Sequence, residues 1–441
     1  MQRKSVIIYL STLGISVIPC LSHAAGFALI EQNASGMGNA YAGGAAIAED
    51  ASTIFFNPAG LSRLKGTQVV VAGHIIKPTA KFSNAGSTTA AILGATPLSG
   101  PNADGGTLAI VPNVYLSYTD ASNVVLGLGI NVPFGLSTVY DDNWVGRYHG
   151  VKSDLVTKNL NPSIAYRWGE MFSAGFGVNI QTMEVTLSSA IDVGTLTGGA
   201  VPQDGFVTLH GDNSGNIGLG WNIGFLLEPS SETRIGLSYR SKVDHTLRGK
   251  ADFSLPGQAV ALLTSTGSFV DTDISAEVTM PEMASLSAYH EISENLALMA
   301  DFTWTDWSVF EELRVTYASS HPSSVTTENW KETYRGAFGL TYAMDEHFSL
   351  KAGLAYDQSP VPDDQHRTPR VPDSDRTWIS FGATYKPLEN LSLDLGYSHL
   401  FVADSKINNT FESSVPTLAS TLKGSYSNSV DILSLQLNWQ F

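Results

Sequence analysis

The sequence predicts an all-β transmembrane protein: a 14-stranded antiparallel β-barrel of the outer-membrane type, with an N-terminal hatch (plug) of short helices. Three observations predict it. Charged residues make up only 15% of the 441 residues, against about 25% in soluble domains. No segment after the N-terminus has 18 consecutive apolar residues, so no helix is expected to span a bilayer. Apolar and polar residues alternate in many short stretches, which is typical of strands with lipid on one face only.

The remaining composition excludes several classes of protein. The apolar content of 43% argues against disorder, and a net charge of −16 argues against nucleic acid as a partner. Cys20 is the single cysteine and lies near the N-terminus, so no disulfide is expected. No cofactor and no metal site is predicted. The acidic residues of one outer loop (Asp363, Asp364, Asp373 and Asp375) are alternatively a cation site, but a solvated loop explains them more simply.

Residues 1–24 have the pattern of a secretory signal. Arg3 and Lys4 precede an apolar stretch, and Ser22-His23-Ala24 supplies the small residues expected before a cleavage site. The alternative, a membrane anchor, is disfavoured because the stretch is short and contains Pro19. We therefore expect cleavage after Ala24 and export to the bacterial outer membrane.

The alternation is clearest in the last strand. Apolar and polar residues alternate there without exception. The apolar residues are Leu433, Leu435, Leu437, Trp439 and Phe441, and the polar residues between them are Ser434, Gln436, Asn438 and Gln440. An Arg or Lys on the lipid face costs about 2–4 kcal/mol at the bilayer midplane. Asp301, Lys351 and Asp394 accordingly occupy the polar register of their strands.

Residues 66–441 are predicted to form the barrel. Connections after even-numbered strands are very short and those after odd-numbered strands are mostly long, which indicates periplasmic turns and external loops, with both termini in the periplasm. The fourteen predicted strands are 66–82, 108–119, 123–134, 154–168, 171–188, 206–228, 231–250, 269–292, 295–318, 327–343, 346–357, 375–387, 390–408 and 424–441.

Residues 25–65 do not alternate and are predicted to form the hatch. The run from Ala34 to Ala48 consists almost entirely of small residues that pack in a confined space, and Asn57-Pro58-Ala59 is a turn signal. The alternative is a flexible periplasmic tail, which is disfavoured because this segment carries so little charge.

Specific stretches resemble the FadL family of outer-membrane long-chain fatty acid transporters, which includes the TodX-type hydrocarbon channels. The similarity covers essentially the whole mature chain, and the stretches that carry it are Ala25–Leu29, Gly36–Gly43, Asn57–Ala59, Trp304–Ser308, Trp330–Arg335, Asp357–Pro362 and Pro372–Trp378. The resemblance implies a monomeric barrel, a hatch gated by Phe27 and the turn Asn57, Pro58 and Ala59, and no enzymatic activity.

The resemblance also implies a function. Hydrophobic molecules, above all long-chain fatty acids, are captured outside, pass the hatch and leave sideways through an opening in the third strand. A channel for toluene-type monoaromatic hydrocarbons is the alternative. A barrel lipid hydrolase is a more distant one, since no Ser/His/Asp grouping stands out. The expected partners are the hydrophobic ligand, outer-membrane lipid and lipopolysaccharide.

Two outer loops contain apolar residues where polar ones are usual. Ile92 and Leu93 lie in the first loop, and Trp144 and Tyr148 lie in the second. Exposed apolar patches are candidate binding surfaces. The alternative is that the two loops pack on each other, but the resemblance favours an external ligand groove.

The third strand contains Gly129, Asn131 and Pro133. Glycine weakens a strand and proline cannot donate to its ladder. These residues therefore mark either the kink that the resemblance implies or, for Pro133, simply the end of the strand.

The sequence departs from the family pattern at the positions where a basic residue would hold the carboxylate of a ligand. The resemblance places interior basic residues near Ser189 and Thr326, and neither residue is basic. Arg147, Lys331 and Arg335 are the alternatives nearby, unless they belong to internal ion pairs. A hydrocarbon needs no cation, so this departure keeps the hydrocarbon alternative open.

Overall fold

Antiparallel pairing runs around the molecule and closes between the first and last strands, where Gln68 lies opposite Gln440 and Asn84 opposite Gly424. The computed structural model describes residues 26–119, 123–213, 215–413 and 415–441. The predicted signal, residues 1–24, and the predicted turn at 120–122 lie outside the described residues.

The sheet is the predicted 14-stranded antiparallel barrel, which is thereby confirmed. Seven of its strands are built from two segments. The strands are β1 Thr67–Asn84, β2 Ala109–Thr119, β3 Val124–Asn131 with Gly135–Val139, β4 Lys152–Trp168, β5 Phe172–Ile191, β6 Gly205–Asp212 with Gly218–Leu227, β7 Thr233–Arg240 with Val243–Ser254, β8 Thr272–Met280 with Met283–Ser293, β9 Leu296–Thr305 with Glu312–Tyr317, β10 Ser324–Thr327 with Thr333–Ala343, β11 Phe348–Asp357, β12 Arg376–Leu388, β13 Leu391–Val402 with Ser405–Thr410, and β14 Thr421–Gln440.

The two faces of the wall differ as the alternation predicts. In β14, Leu433 and Leu435 point outward and are exposed, whereas Ser434 and Gln436 point inward and are buried. The interior also holds the charged residues of the polar register: Asp301, Lys351 and Asp394 are all buried. The outward side chains that face lipid are therefore apolar, and many of the side chains that face the protein-filled bore are polar or charged.

Short turns and long loops lie at opposite ends. The chain ends at the short-turn end, where the Phe441 N–H donates to the Thr67 carbonyl at 2.8 Å. The long-loop end carries short helices: the α-helices Val193–Leu196 and Gly257–Thr264, and the 3-10 helices Ala91–Leu93 and Pro416–Leu418. A further 3-10 helix, Trp307–Val309, lies between the two segments of β9.

Residues 26–65, called the hatch below, lie against inward-facing side chains of the wall. They form α1 Gly44–Ile47, α2 Thr53–Phe56 and the 3-10 helices Met37–Asn39 and Pro58–Arg63. Apolar contact with the wall buries this segment: Met37, Ala40 and Tyr41 pack with wall residues that include Met299, Trp378 and Leu400.

Glycines on the inner wall make room for the hatch. A Cβ on Gly236 would lie 1.9 Å from the Ala45 carbonyl oxygen, and one on Gly353 would lie 2.2 Å from the backbone of Asn39. At these positions only glycine permits the observed approach of the two backbones. The abundance of glycine in the polar register thus has a packing reason.

In the part of the chain that the structure describes, no helix is long and apolar enough to cross a membrane.

Candidate functional site

A cavity of about 650 Å³ lies between the start of the hatch and the wall. Its lining is mostly apolar and comes from the hatch, from β1 to β4, from β8 to β14 and from the loop before β12; representative residues are Leu29, Ile30, Val111, Leu136, Leu155 and Val371. Cavities of this size and character are typical binding sites for small apolar molecules.

Phe27 lines this cavity and is surrounded by aromatic rings. Its ring centroid lies 4.8 Å from that of Trp307, 5.6 Å from Trp330 and 6.3 Å from Phe134. The contacts with Trp307 and Phe134 are edge-to-face, and aromatic pairs of this kind add stabilisation beyond the buried area itself. The predicted gating residue Phe27 is therefore held at the start of the hatch by residues that lie between the two segments of β3, of β9 and of β10.

The third strand is interrupted where the hatch meets it. Between Asn131 and Gly135 the ladder stops, and side chains replace it: Asn113 accepts from the Val132 N–H at 3.2 Å, and Thr157 accepts from the Phe134 N–H at 3.0 Å. Of the predicted kink residues, Gly129 and Asn131 lie in the first segment and Pro133 lies in the interruption. Pro133 needs no hydrogen-bond partner for its nitrogen, which suits a break in the ladder.

The cavity continues to the outer surface beside this interruption. Its lining includes Ile110 and Ile130, whose side chains are 70% and 53% exposed on the outward face of β2 and β3. The mostly apolar lining of the cavity thus includes residues of both the hatch and the lipid-facing wall.

Charged groups gather at one side of the cavity, around the first hatch residue described. Arg376 donates to the Asp373 carboxylate at 2.7 Å and to the Gly26 carbonyl at 3.1 Å. Asp373 in turn accepts from the Gly26 N–H at 2.9 Å and from the Ser359 hydroxyl at 2.8 Å. Arg376 and Asp373 therefore satisfy each other and fix the backbone of Gly26.

Arg335 is different, because its donors are incompletely used. It is 6% exposed and lines the cavity, and one nitrogen donates to the Ala40 carbonyl at 2.5 Å. Its Nε and Nη1 have no hydrogen-bond partner among the described residues. Asp357 lies directly opposite it in the β10–β11 register. A buried cation with free donors is a potential binding group for a carboxylate.

Glu31 is a buried acid in the hatch that also lines the cavity. Burial raises its pKa to about 7. The carboxyl is therefore largely protonated in mildly acidic surroundings, which lowers the negative charge that a ligand carboxylate would meet.

The Asn57-Pro58-Ala59 turn joins the hatch to the wall. The Asn57 amide donates to the carbonyls of Ala45 at 2.6 Å and Phe225 at 3.0 Å, and its oxygen accepts from the Ala59 N–H at 3.0 Å. Asn57 is fully buried, and its side chain holds α1, the following 3-10 helix and β6 together.

The outer loops differ in part from the expected groove. Ile92 and Leu93 are exposed, but Trp144 is fully buried and stacks on Tyr140 at 4.1 Å between centroids. Trp144 therefore does not line an exposed groove. The first and second loops pack on each other, since the Val145 N–H donates to the Pro101 carbonyl at 3.0 Å. Tyr148 is half-buried, and its hydroxyl donates to Asp204 at 2.6 Å.

The three candidate cations lie in different surroundings. Arg147 is ion-paired with Asp204 at 2.7 Å and donates to the carbonyls of Ser99 and Trp144, so its role is to join loops. Lys331 is exposed. Only Arg335, of these three, lines the cavity. Ser189 and Thr326 are both half-buried.

Sequence reasoning missed several residues of this site. Trp307, Trp330 and Asp357 belonged to the stretches that resemble the family, but nothing in the alternation assigned them a contact with Phe27 or Arg335. Within the described chain, no group of three or more His, Cys, Asp or Glu side chains is placed to hold a metal ion. The outer-loop residue Asp373 binds Arg376 and Gly26 instead.

The fold and the site define a class of protein: an outer-membrane β-barrel with a filled bore and an internal apolar cavity. The family model described as outer membrane protein transport protein (OMPP1/FadL/TodX) matches residues 15–441, and the chain belongs to this family. The protein is thus a transporter of hydrophobic molecules in the bacterial outer membrane, not an enzyme.

Relatives and solved structures agree with this assignment. The chain is 33% identical to the 47 kDa outer membrane protein of Pasteurella multocida (strain Pm70), over 97% of this chain and 96% of that protein. It is 30% identical to the long-chain fatty acid transport protein of Escherichia coli (strain K12), over 90% and 92%. A crystal structure of a Pseudomonas aeruginosa FadL homologue superimposes with a TM-score of 0.85 at 25% identity, covering 95% of this chain and 100% of that one.

Proposed function

We propose that the protein takes up long-chain fatty acids by passive diffusion: they are captured at the external loops, pass the hatch and leave sideways through the interruption of β3. The outer step is supported by the exposed Ile92 and Leu93. The inner steps are supported by the apolar cavity beside Phe27 and by its continuation to Ile110 and Ile130.

The observation that carries the choice of a fatty acid is the pair of unpartnered nitrogens, Nε and Nη1, on the Arg335 guanidinium in an otherwise mostly apolar cavity. A buried donor without a partner costs roughly 1–3 kcal/mol, and a ligand carboxylate would remove that cost through charge-assisted hydrogen bonds. An aromatic hydrocarbon offers no such acceptor, so it would leave the cost in place.

Binding measured on purified protein tests this proposal. We expect Arg335→Met to weaken binding of oleate by about tenfold or more, which corresponds to the loss of one charge-assisted hydrogen bond. Binding of oleyl alcohol, which has the same tail without the charge, should change little. Lys331→Met is the matched control, because Lys331 is an exposed cation four residues away in the chain.

A different result would favour the hydrocarbon alternative. If the wild type binds toluene as tightly as oleate and Arg335→Met changes neither, then Asp357 neutralises Arg335 and the cation does not recognise ligand. Deletion of the gene would then reduce growth on toluene rather than on oleate. Besides the transported ligand, we propose outer-membrane lipid and lipopolysaccharide as partners, and we propose that the protein is a monomer.

A further inference from the structure

The outward face of β13, β14 and β1 changes from apolar to charged residues at one level of the wall. Ile75, Leu433 and Tyr397 form one row across the three strands, and all three side chains are exposed. Two residues further out, the next row holds Lys77, opposite Asp431. The apolar belt that faces lipid hydrocarbon therefore ends between these two rows.

Above this level the three strands carry four exposed lysines: Lys77 and Lys81 on β1, Lys423 on β14 and Lys406 on β13. Register places them close together, since Lys81 lies opposite Ser427, and Lys406 lies opposite Ser425. Lys77 and Lys81 are about 13 Å apart along the strand. The lysines thus extend from the edge of the apolar belt toward the outer loops.

These lysines have no ion-pair partner within 4 Å in the described part of the chain. Elsewhere on the outer wall the pattern differs: Lys158 pairs with Glu184 at 3.9 Å, and Lys152 with Asp154 at 3.5 Å. Two acids lie beside these lysines. Asp431, opposite Lys77, accepts from Tyr397 at 2.7 Å and from His399 at 2.8 Å. Asp104, opposite Lys81, accepts from the backbone N–H groups of Ala80 and Gly106. The four lysines thus outnumber the two neighbouring acids on one face of a chain whose net charge is −16.

Hydroxyl groups lie between the lysines. Ser83, Ser425 and Ser427 are exposed on the same face, with Thr79 and Ser429 half-buried beside them. Ammonium and hydroxyl groups together donate many hydrogen bonds to phosphate oxygens. Directly below, exposed apolar residues such as Val71, Leu395 and Leu435 offer a surface for acyl chains.

We infer that this face binds the phosphorylated glycolipid of the outer leaflet, lipopolysaccharide, with its acyl chains on the apolar belt and its phosphates on Lys77, Lys81, Lys406 and Lys423. The chemistry required is an anionic head group with several phosphates above several acyl chains. A ladder of unpaired lysines that rises away from the belt fits a head group extending outward better than a compact phospholipid head group. The site is separate from the ligand cavity.

Titration of the purified, detergent-solubilised protein with rough lipopolysaccharide tests the inference. We expect the variant Lys77→Gln/Lys81→Gln/Lys406→Gln/Lys423→Gln to bind about tenfold or more weakly, and binding by the wild type to weaken with added salt. The matched control is Lys242→Gln/Arg248→Gln/Lys250→Gln/Lys386→Gln, which removes four exposed basic residues elsewhere and should bind like the wild type.

Three outcomes would overturn the inference. In the first, the quadruple lysine variant binds lipopolysaccharide as tightly as the wild type does. In the second, dephosphorylated lipopolysaccharide binds to both proteins as tightly as the intact form does. In the third, the binding of phosphatidylglycerol is weakened by loss of the four lysines as much as the binding of lipopolysaccharide is. Heat-modifiable migration on electrophoresis shows that each variant remains a folded barrel. Oleate binding should stay unchanged in the lysine variant, so that failure here and failure of the proposed function are distinguishable.

Discussion

The backbone N–H of Leu29 donates to the carbonyl of Pro133 at 2.9 Å, so the hatch forms a short antiparallel pair with the interruption of β3. The Gly135 N–H donates in return to the Phe27 carbonyl at 3.0 Å, and Ala28 lies opposite Phe134. The gate proposed at the start of the hatch and the opening proposed in the wall are therefore one hydrogen-bonded unit. Movement of either one must break bonds to the other.

A disulfide across this pair should block transport. Ala28 and Phe134 form a non-hydrogen-bonded pair, in which Cα atoms approach to about 4.5 Å, and this is close enough for a disulfide. The only native cysteine is Cys20, outside residues 26–441, so Ala28→Cys/Phe134→Cys has no competing thiol there. We expect oxidised double-variant cells to take up labelled oleate about tenfold more slowly, with recovery on reduction.

The control for the cross-link is Phe134→Cys alone, which loses the same aromatic ring but forms no bond. Uptake that is equal in the oxidised and reduced double variant would show that the hatch and β3 need not separate during transport.

Close approach of the hatch to the wall predicts a second effect. Gly353→Ala places a methyl group 2.2 Å from the backbone of Asn39, so the hatch must shift, at a cost of about 1–3 kcal/mol. The shift should also disturb the hydrogen bond from the Asn39 amide to the Leu340 carbonyl at 2.6 Å. We expect raised ion conductance in planar bilayers and a lower melting temperature.

Gly336 is the matched control for Gly353. It lies on the neighbouring strand β10, and, its two chain neighbours aside, no atom of the described residues lies within 4 Å of the place that an alanine methyl group would take, so Gly336→Ala should conduct and melt like the wild type. Equal conductance for both variants would mean that the hatch does not close the bore at this level.

The turn at Asn57 predicts a third effect. Asn57→Ala leaves the buried carbonyls of Ala45 and Phe225 without their donor, at a cost of roughly 1–3 kcal/mol each. Asn57→Asp keeps the oxygen that accepts from Ala59 but loses both donated bonds, so it should behave like the alanine variant. Faster hydrogen exchange within residues 26–65 is the measurement. Asn295→Ala, which removes one exposed bond to the Ala343 carbonyl, should leave exchange there unchanged.

The barrel could be predicted from the sequence because the residues of each strand alternate between apolar and polar. Alternation such as that of Leu433 to Phe441 assigns both strand and face without any distant contact. Pro133 and the nearby Gly129 indicated either a kink in β3 or the end of the strand, and the sequence alone did not decide between the two. Local signals of this kind set the number of strands, the two ends of the barrel and the hatch as a separate segment.

Contacts between residues far apart in the chain could not be predicted from local sequence patterns. Trp144 was expected to be exposed, but it packs beneath the loops with Tyr140, whose hydroxyl donates to the Pro369 carbonyl at 2.8 Å. Pro369 is more than 200 residues further along the chain, and no periodic pattern encodes that meeting. The same holds for Arg335, whose value as a candidate anchor depends on which neighbouring groups leave its donors free.

The outer loops supply a fourth prediction, on acid sensitivity. His149 is buried among these loops, where its Nδ1 meets the Asn409 side chain at 3.0 Å and its Nε2 meets the Ser420 hydroxyl at 3.3 Å. Burial lowers its pKa from 6.5 to about 4. A histidine whose folded-state pKa is lowered stabilises the fold above its unfolded pKa, and this stability is lost as the pH falls toward the folded value. The packed loops should therefore be stable at pH 7 and weaken between pH 6.5 and about 4, by at most about 3 kcal/mol.

Hydrogen exchange of residues 140–151, corrected for intrinsic rates, measures this weakening at pH 7 and pH 4.5. His149→Gln keeps a polar side chain that does not titrate in this range, so its loops should show equal protection at both values. If the wild type and His149→Gln lose protection equally on acidification, another group controls the loops. Oleate binding at pH 7 should be the same in both proteins, because His149 lies outside the residues that line the cavity.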